Sequence, residues 1–201
     1  QDPVSRKYQL GPGWLQMAGL HLSGLQPVEI AKPHLLRLWA DTNETINLSV
    51  QQELEVMRVL ALESRMKVRV SSRLGEVAPL HCTAAGKVFL AFGPPALLDQ
   101  AIAAGLEQRQ PKAITDPIAL REEIALTRRR RYGTDLEESD VDYSAVGAPV
   151  IDHDGRCVAA VAIAMPVRRY AEADVDALVG QLIDCVEAIS AELGGRLPPA
   201  I

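Results

Sequence analysis

Hydrophobic and polar positions change period several times along this chain, and each change marks an element. After a polar opening over residues 1–9, read as an extended tail or strand remnant, Trp14, Leu15, Ala18, Leu22 and Leu25 recur at steps of three and four. That is the spacing of a helix with one buried stripe. Val28, Ala31, Leu35 and Leu38 predict a second helix over residues 27–41, with Pro33 either starting its main run or kinking it. The period then drops to two. Ile46, Leu48 and Val50 alternate with Asn47, Ser49 and Gln51, the mark of a half-buried strand. A β-rich run over residues 54–62 follows, and Met66, Val68 and Val70 alternate with Lys67, Arg69 and Ser71. With polar turns near Gln52 and near Ser64-Arg65, these three runs predict an antiparallel meander.

The second half is richer in helix punctuation. Thr83 stands as a cap before Ala84-Ala85-Gly86-Lys87, and Gly93-Pro94-Pro95 stops the helix that follows. A short helix covers about 95–104. Asp116 caps another with Pro117 at its first position, Arg128 to Arg131 in its last turn and Gly133 just past its end. Residues 144–151 and 156–165 read as strands joined by Asp152-His153-Asp154-Gly155. The second is apolar on both faces, which predicts a central strand. A long amphipathic helix spans 171–193, with acids Glu172, Asp174 and Asp176 at its start and Gly194-Gly195 at its end. Helix, meander, helices, hairpin, helix is an α+β order, an antiparallel sheet flanked by helices rather than a parallel βαβ array. One sheet face is left to form a pocket with the middle helices.

Composition narrows the class. The 201 residues are 48% hydrophobic and 23% charged, ordinary globular values, and aromatics are only 4%, so aliphatic side chains must do the packing. A formal charge of -5 is the wrong sign for a phosphate backbone, so nucleic-acid binding by these residues alone is not expected. Neither a run of ~20 apolar residues nor a signal-peptide pattern occurs. Three cysteines, Cys82, Cys157 and Cys185, have neither an even count nor metal spacing, which predicts a reducing, cytoplasmic setting. The opening Gln1-Asp2-Pro3 carries no initiator Met, and predicts that sequence was removed or omitted upstream.

Candidate chemistry is sparse. His81 and Cys82 are adjacent, so their side chains point apart, and no orienting acid or catalytic signature accompanies them. His21, His34 and His153 lack zinc spacing. Asp135, Glu137, Glu138, Asp140 and Asp142 do not have calcium-loop spacing and read as a solvated strand and turn edge. Arg128 to Arg131 point around a whole helix end, where cations need no further function. No catalytic residue, metal site or cofactor is expected. One feature points to a ligand: small residues at the helix start Thr83-Ala84-Ala85-Gly86 would let a carboxylate approach free backbone N–H groups. The same small residues also suit tight helix–sheet packing.

The segment Pro79-Leu80-His81-Cys82-Thr83-Ala84-Ala85-Gly86-Lys87 resembles the signature of the IclR family of bacterial regulators. Tyr8-Gln9-Leu10-Gly11 is similar to the junction where that family's winged helix-turn-helix meets its linker helix. Thr45 to Val50 resembles the first strand of its effector domain, and Gly147-Ala148-Pro149-Val150 through Pro166 its last hairpin. The resemblance runs over about residues 8–193.

It implies a GAF-like effector-binding domain over 26–196, preceded over 1–25 by the end of a DNA-binding module and a linker helix, with the winged helix itself absent. It implies homodimers or tetramers, operator DNA bound only through that missing module, and a small organic acid as effector, held by backbone groups at Ala84 and Ala85 and contacted by Asp135. Contact positions that are polar elsewhere in the family fall on Ala145, Ala162 and Ala164, so the pocket is expected to be apolar away from its carboxylate end. Each extra buried CH₂ contributes ~0.8 kcal/mol, enough to offset lost polar contacts of ~0.5–1.5 kcal/mol each. An aromatic or aliphatic acid is therefore expected in place of glyoxylate or pyruvate. The competing readings are a free-standing GAF-like signalling module and a small cytosolic enzyme.

Overall fold

The computed structural model describes residues 26–199, so the stripe from Trp14 to Leu25 lies outside the described residues. Helix α1, Gln26–Thr42, buries Val28, Ala31, Leu35 and Leu38 as their spacing predicts. Pro33 sits inside it on the exposed side, and the helix continues through it. Six strands follow the helical order into one sheet: β1 Thr45–Gln52, β2 Glu55–Leu62, β3 Val77–Pro79, β4 Gly133–Leu136, β5 Tyr143–Ile151 and β6 Cys157–Pro166. Their order is β3-β2-β1-β6-β5-β4, and every neighbouring pair is antiparallel. β6 is central, as its two apolar faces require.

Between β3 and β4 come α2 (Ala84–Phe92), α3 (Ala96–Ala104) and α4 (Pro117–Arg130); after β6 come α5 (Val167–Glu172) and α6 (Val175–Glu192). One sheet face carries Ile46, Leu48, Val146, Val161, Ile163 and Met165 against α1 and α6, whose Leu182, Val186 and Ile189 close that core. The other face meets α2, where Val88, Phe89 and Leu90 join Leu120 and Ile124 of α4 in a second core. Fully burying each such side chain contributes about 1.5–3 kcal/mol, which holds a nine-residue helix that would be marginal alone.

Caps match the sequence. Thr83 Oγ1 accepts the Gly86 N–H at 3.0 Å and Asp116 Oδ2 accepts the Ala119 N–H at 2.7 Å.

Four expectations are corrected. Residues 66–70 are not a strand: Val68 is 71% exposed, the Val70 carbonyl accepts from Thr45 Oγ1 at 2.9 Å, and the edge of β2 is taken instead by the short β3. β1 is covered on both faces, with Asn47 and Ser49 buried. The last helix is broken at Ala173-Asp174, because Asp174 turns out of helical geometry to accept the Ala177 N–H at 3.1 Å and cap α6. Gly133 lies in β4, and the left-handed position ending α4 is held by Arg131 with φ 68°.

Glycines set the depth of α2. A β-carbon on Gly86 would lie 2.1 Å from the Leu80 carbonyl oxygen, a backbone atom that cannot rotate away. Gly86→Ala should therefore lower stability by about 3 kcal/mol. Gly180→Ala, at an exposed position of α6 with nothing within 4 Å of the new methyl, should raise it by about 0.5–1 kcal/mol. Urea unfolding midpoints check both; a neutral Gly86→Ala would show that α2 is not seated this tightly.

Candidate functional site

Where α2 begins, the sheet face it packs on is only partly covered, and a cavity of about 430 Å³ opens there. Strand register explains which side chains reach it. Gly133, Gly147, Ala162 and Asn47 are successive partners across β4, β5, β6 and β1 and form one row on that face. Asp135, Ala145, Ala164 and Thr45 form the next row. The first turn of α2 rests on the glycines. A β-carbon on Gly147 would meet the Ala85 nitrogen at 3.2 Å, and one on Gly133 the Ala84 carbonyl oxygen at 2.6 Å.

Ala84, Ala85 and Ala162 line the cavity. The Gly86 and Lys87 N–H groups are taken up by Thr83, whereas the Ala84 and Ala85 N–H groups have no partner among the described residues. Orphan donors at a helix start, with the helix dipole behind them, favour an anion. The other sequence-predicted residues stand off the wall. Ala145 and Ala164 pack with Ala84 beneath Val70 and Tyr143. Asp135 uses its carboxylate internally: it accepts the Glu138 N–H at 2.9 Å, the Ser139 N–H at 3.3 Å and the Ser139 hydroxyl.

Two corrections follow. The acidic run is a solvated edge only in part: Asp140 and Asp142 are exposed, but Asp135 is 0% and Glu138 6% exposed. Burial pushes both carboxyls above their ordinary range, opposed for Asp135 by those hydrogen bonds and for Glu138 by Lys87. Nor is the cavity apolar away from the helix start. Asn47, Ser49, Arg58, Arg109 and Ser139 line it. Asn47 and Ser49 escape a sequence reading because a polar residue facing a cavity alternates like one facing solvent.

The cationic side is formed by Arg58, paired with Glu76, and by Arg109, which is exposed and in no ion pair among the described residues. Glu63 straps the loop over the cavity, accepting the Ser72 N–H at 3.0 Å, Arg69 Nε at 3.0 Å and the Ser71 hydroxyl at 2.9 Å. These bonds, the Ser72 N–H first, lower its pKa to about 2.

His81 and Cys82 form no nucleophilic pair. The imidazole Nε2 lies 2.9 Å from the Glu107 carbonyl, and burial pushes the thiol up to about 12, leaving it protonated. Met57 and Phe89 line a separate hollow beside Cys157. Among the described residues no group of three or more His, Cys, Asp or Glu side chains could hold a metal, and no helix is long and apolar enough to cross a membrane.

Behind the helix start lies a charge cluster. Lys87, 1% exposed, places Nζ 2.5 Å from Glu138 and 3.8 Å from Glu123, and Arg130 holds Glu123 at 2.8 Å. Breaking such a buried pair from one side leaves an uncompensated charge. Lys87→Met should cost about 3–5 kcal/mol, and adding Glu138→Leu should recover part of that loss. A loss in the double variant equal to the sum of the losses in Lys87→Met and Glu138→Leu alone, read by denaturant unfolding, would contradict the pairing.

Comparison with known proteins places this geometry. Residues 20–191 match the family described as bacterial transcriptional regulator IclR C-terminal. The DNA-binding transcriptional repressor YiaJ of Escherichia coli (strain K12) is 31% identical over 96% of this chain and 70% of its own length. The Thermotoga maritima IclR crystal structure superposes with a TM-score of 0.85 at 30% identity, over 94% of this chain and 77% of that one. An IclR homologue from Microbacterium hydrocarbonoxydans, crystallised with 4-hydroxybenzoate, shares the fold with a TM-score of 0.79 at 23% identity, over 89% of this chain and 73% of its own. The curated relatives are named as transcriptional regulators and repressors, not as enzymes. The chain belongs to the IclR family of bacterial transcriptional regulators and carries that family's C-terminal domain.

Proposed function

We propose that this domain senses a small organic acid whose carboxylate sits on the Ala84 and Ala85 N–H groups. The observation that carries the reading is the pair of donors at the start of α2, without a partner among the described residues, beside a cavity with the exposed Arg109 in its lining. Ala162 forms the floor beside them, and Asp135, Ala145 and Ala164 act from the row behind by fixing the turn and the spacing under α2. An effector biases a regulator only through a difference in affinity between two arrangements. α2 is suited to register that difference, because its first turn faces the ligand and Lys87, one turn on, grips the β4–β5 connection through Glu138.

An aromatic acid is the second reading; the volume admits a single ring, and the Microbacterium homologue of this fold was crystallised with 4-hydroxybenzoate. The names of the relatives support a cytoplasmic, DNA-binding regulator over a free-standing signalling module. Operator contact then falls to a winged helix outside residues 26–196, and assembly to homodimers or tetramers.

Carboxylate recognition is tested by calorimetric titration of the chain with short-chain and aromatic acids, each beside its methyl ester. We expect measurable binding of at least one acid, weakened at least tenfold in the ester and weakened by salt. Esters that bind as well as their acids would remove the helix start from the account.

A further inference from the structure

We infer that Asn47 is a specificity-determining residue, which selects effectors carrying an amide or hydroxyl group a few bonds from the carboxylate. The inference rests on the carboxylate-sensing reading above and adds a second anchor to it. Asn47 is 2% exposed, yet neither its carboxamide nitrogen nor its oxygen has a hydrogen-bond partner among the described residues. Asn47 is one of the residues that line the cavity. Asn is a poor choice for the inside of a strand, and buried polar atoms are ordinarily paired because leaving them unmet costs more than a made bond returns.

Local structure does not account for the residue. Its strand partners on either side are Ala61 and Ala162, which offer no polar side-chain atom, and Asn47 neither caps a helix nor joins an ion pair. What the carboxamide lacks is a group that both donates and accepts, which is what a primary amide or hydroxyl supplies. Position gives the length of the molecule. Asn47 on β1 is two strand spacings from Gly147 on β5, over which the first turn of α2 sits, roughly 10 Å across the sheet. A ligand held at both places is short, with an acid at one end and a polar group at the other. A hydrocarbon analogue of the same shape would leave the buried carboxamide unpaired, the situation in which sites discriminate most strongly.

The test uses two shape-matched pairs of acids on the 201-residue chain: succinamate against 4-methylpentanoate, and 4-hydroxybenzoate against 4-methylbenzoate. Titration calorimetry is run on the wild type and on Asn47→Leu, and thermal unfolding of both proteins is recorded without ligand. In at least one pair the polar member should bind the wild type at least tenfold more tightly than its partner. That preference should vanish in Asn47→Leu, whose unliganded melting temperature should equal or exceed that of the wild type, since the variant removes two unmet groups. Apolar members that bind as well as the polar ones in both pairs would overturn the role of Asn47 and leave the carboxylate site standing. A variant that melts lower and loses both members equally would make Asn47 a structural residue and also overturn it. If none of the four acids binds, the carboxylate reading fails and this inference with it.

Discussion

The close seating of α2 on the sheet is the constraint on which the rest of the structure depends. A helix ordinarily lies on a sheet through side chains, but here its first turn approaches the backbone of β4 and β5 directly, at Gly133 and Gly147, while Gly86 lies against the carbonyl of Leu80. No residue with a β-carbon fits these contacts without displacing backbone. The approach buries almost the whole of α2, and it leaves the Ala84 and Ala85 N–H groups pointing where neither helix nor sheet can satisfy them. Packing thus creates the polar feature to which the function is assigned.

Charge placement reinforces that seating. Lys87 enters the interior one turn along α2 and meets Glu138, which lies in the turn organised by Asp135; Glu123 and Arg130 extend the cluster into α4. Taking charges out of water is costly unless each is paired, so the arrangement tolerates little sliding of α2 relative to α4 or to the β4–β5 turn. The loop above the cavity is held differently, by Glu63 below and by Arg169, which donates to the Val68 carbonyl while paired with Glu44. The cavity thus has a floor on the sheet beside α2 and a separately tethered loop on its solvent side.

Much of this was legible in the residues. Thr83, Asp116 and the 152–155 turn mark their elements because caps and hairpins are local and carry their own chemistry. Family resemblance named Asp135, Ala145 and Ala164 as effector contacts, but that they share one row of the sheet was not legible, since strand register is set by pairing between distant segments. Three things were misread for physical reasons. Alternation at Met66, Val68 and Val70 imitates a strand, but the neighbouring edge is occupied by residues 77–79. Asn47 and Ser49 looked solvated because a cavity and bulk water impose the same period. Asp135 and Glu138 looked like part of an exposed acidic run; Asp135 is satisfied by its own turn, and Glu138 meets Lys87, fifty-one residues away in sequence.

The central claim is that an acid binds at the start of α2. It is tested most directly by following backbone amide resonances of the ¹⁵N-labelled chain during titration with 4-hydroxybenzoate and with succinamate. The Ala84 and Ala85 amides should shift most, downfield as they gain a carboxylate acceptor, with Asn47 side-chain resonances moving in step. Largest shifts around Met57, Phe89 and Cys157, with Ala84 and Ala85 unmoved, would place the ligand in the other hollow and contradict it.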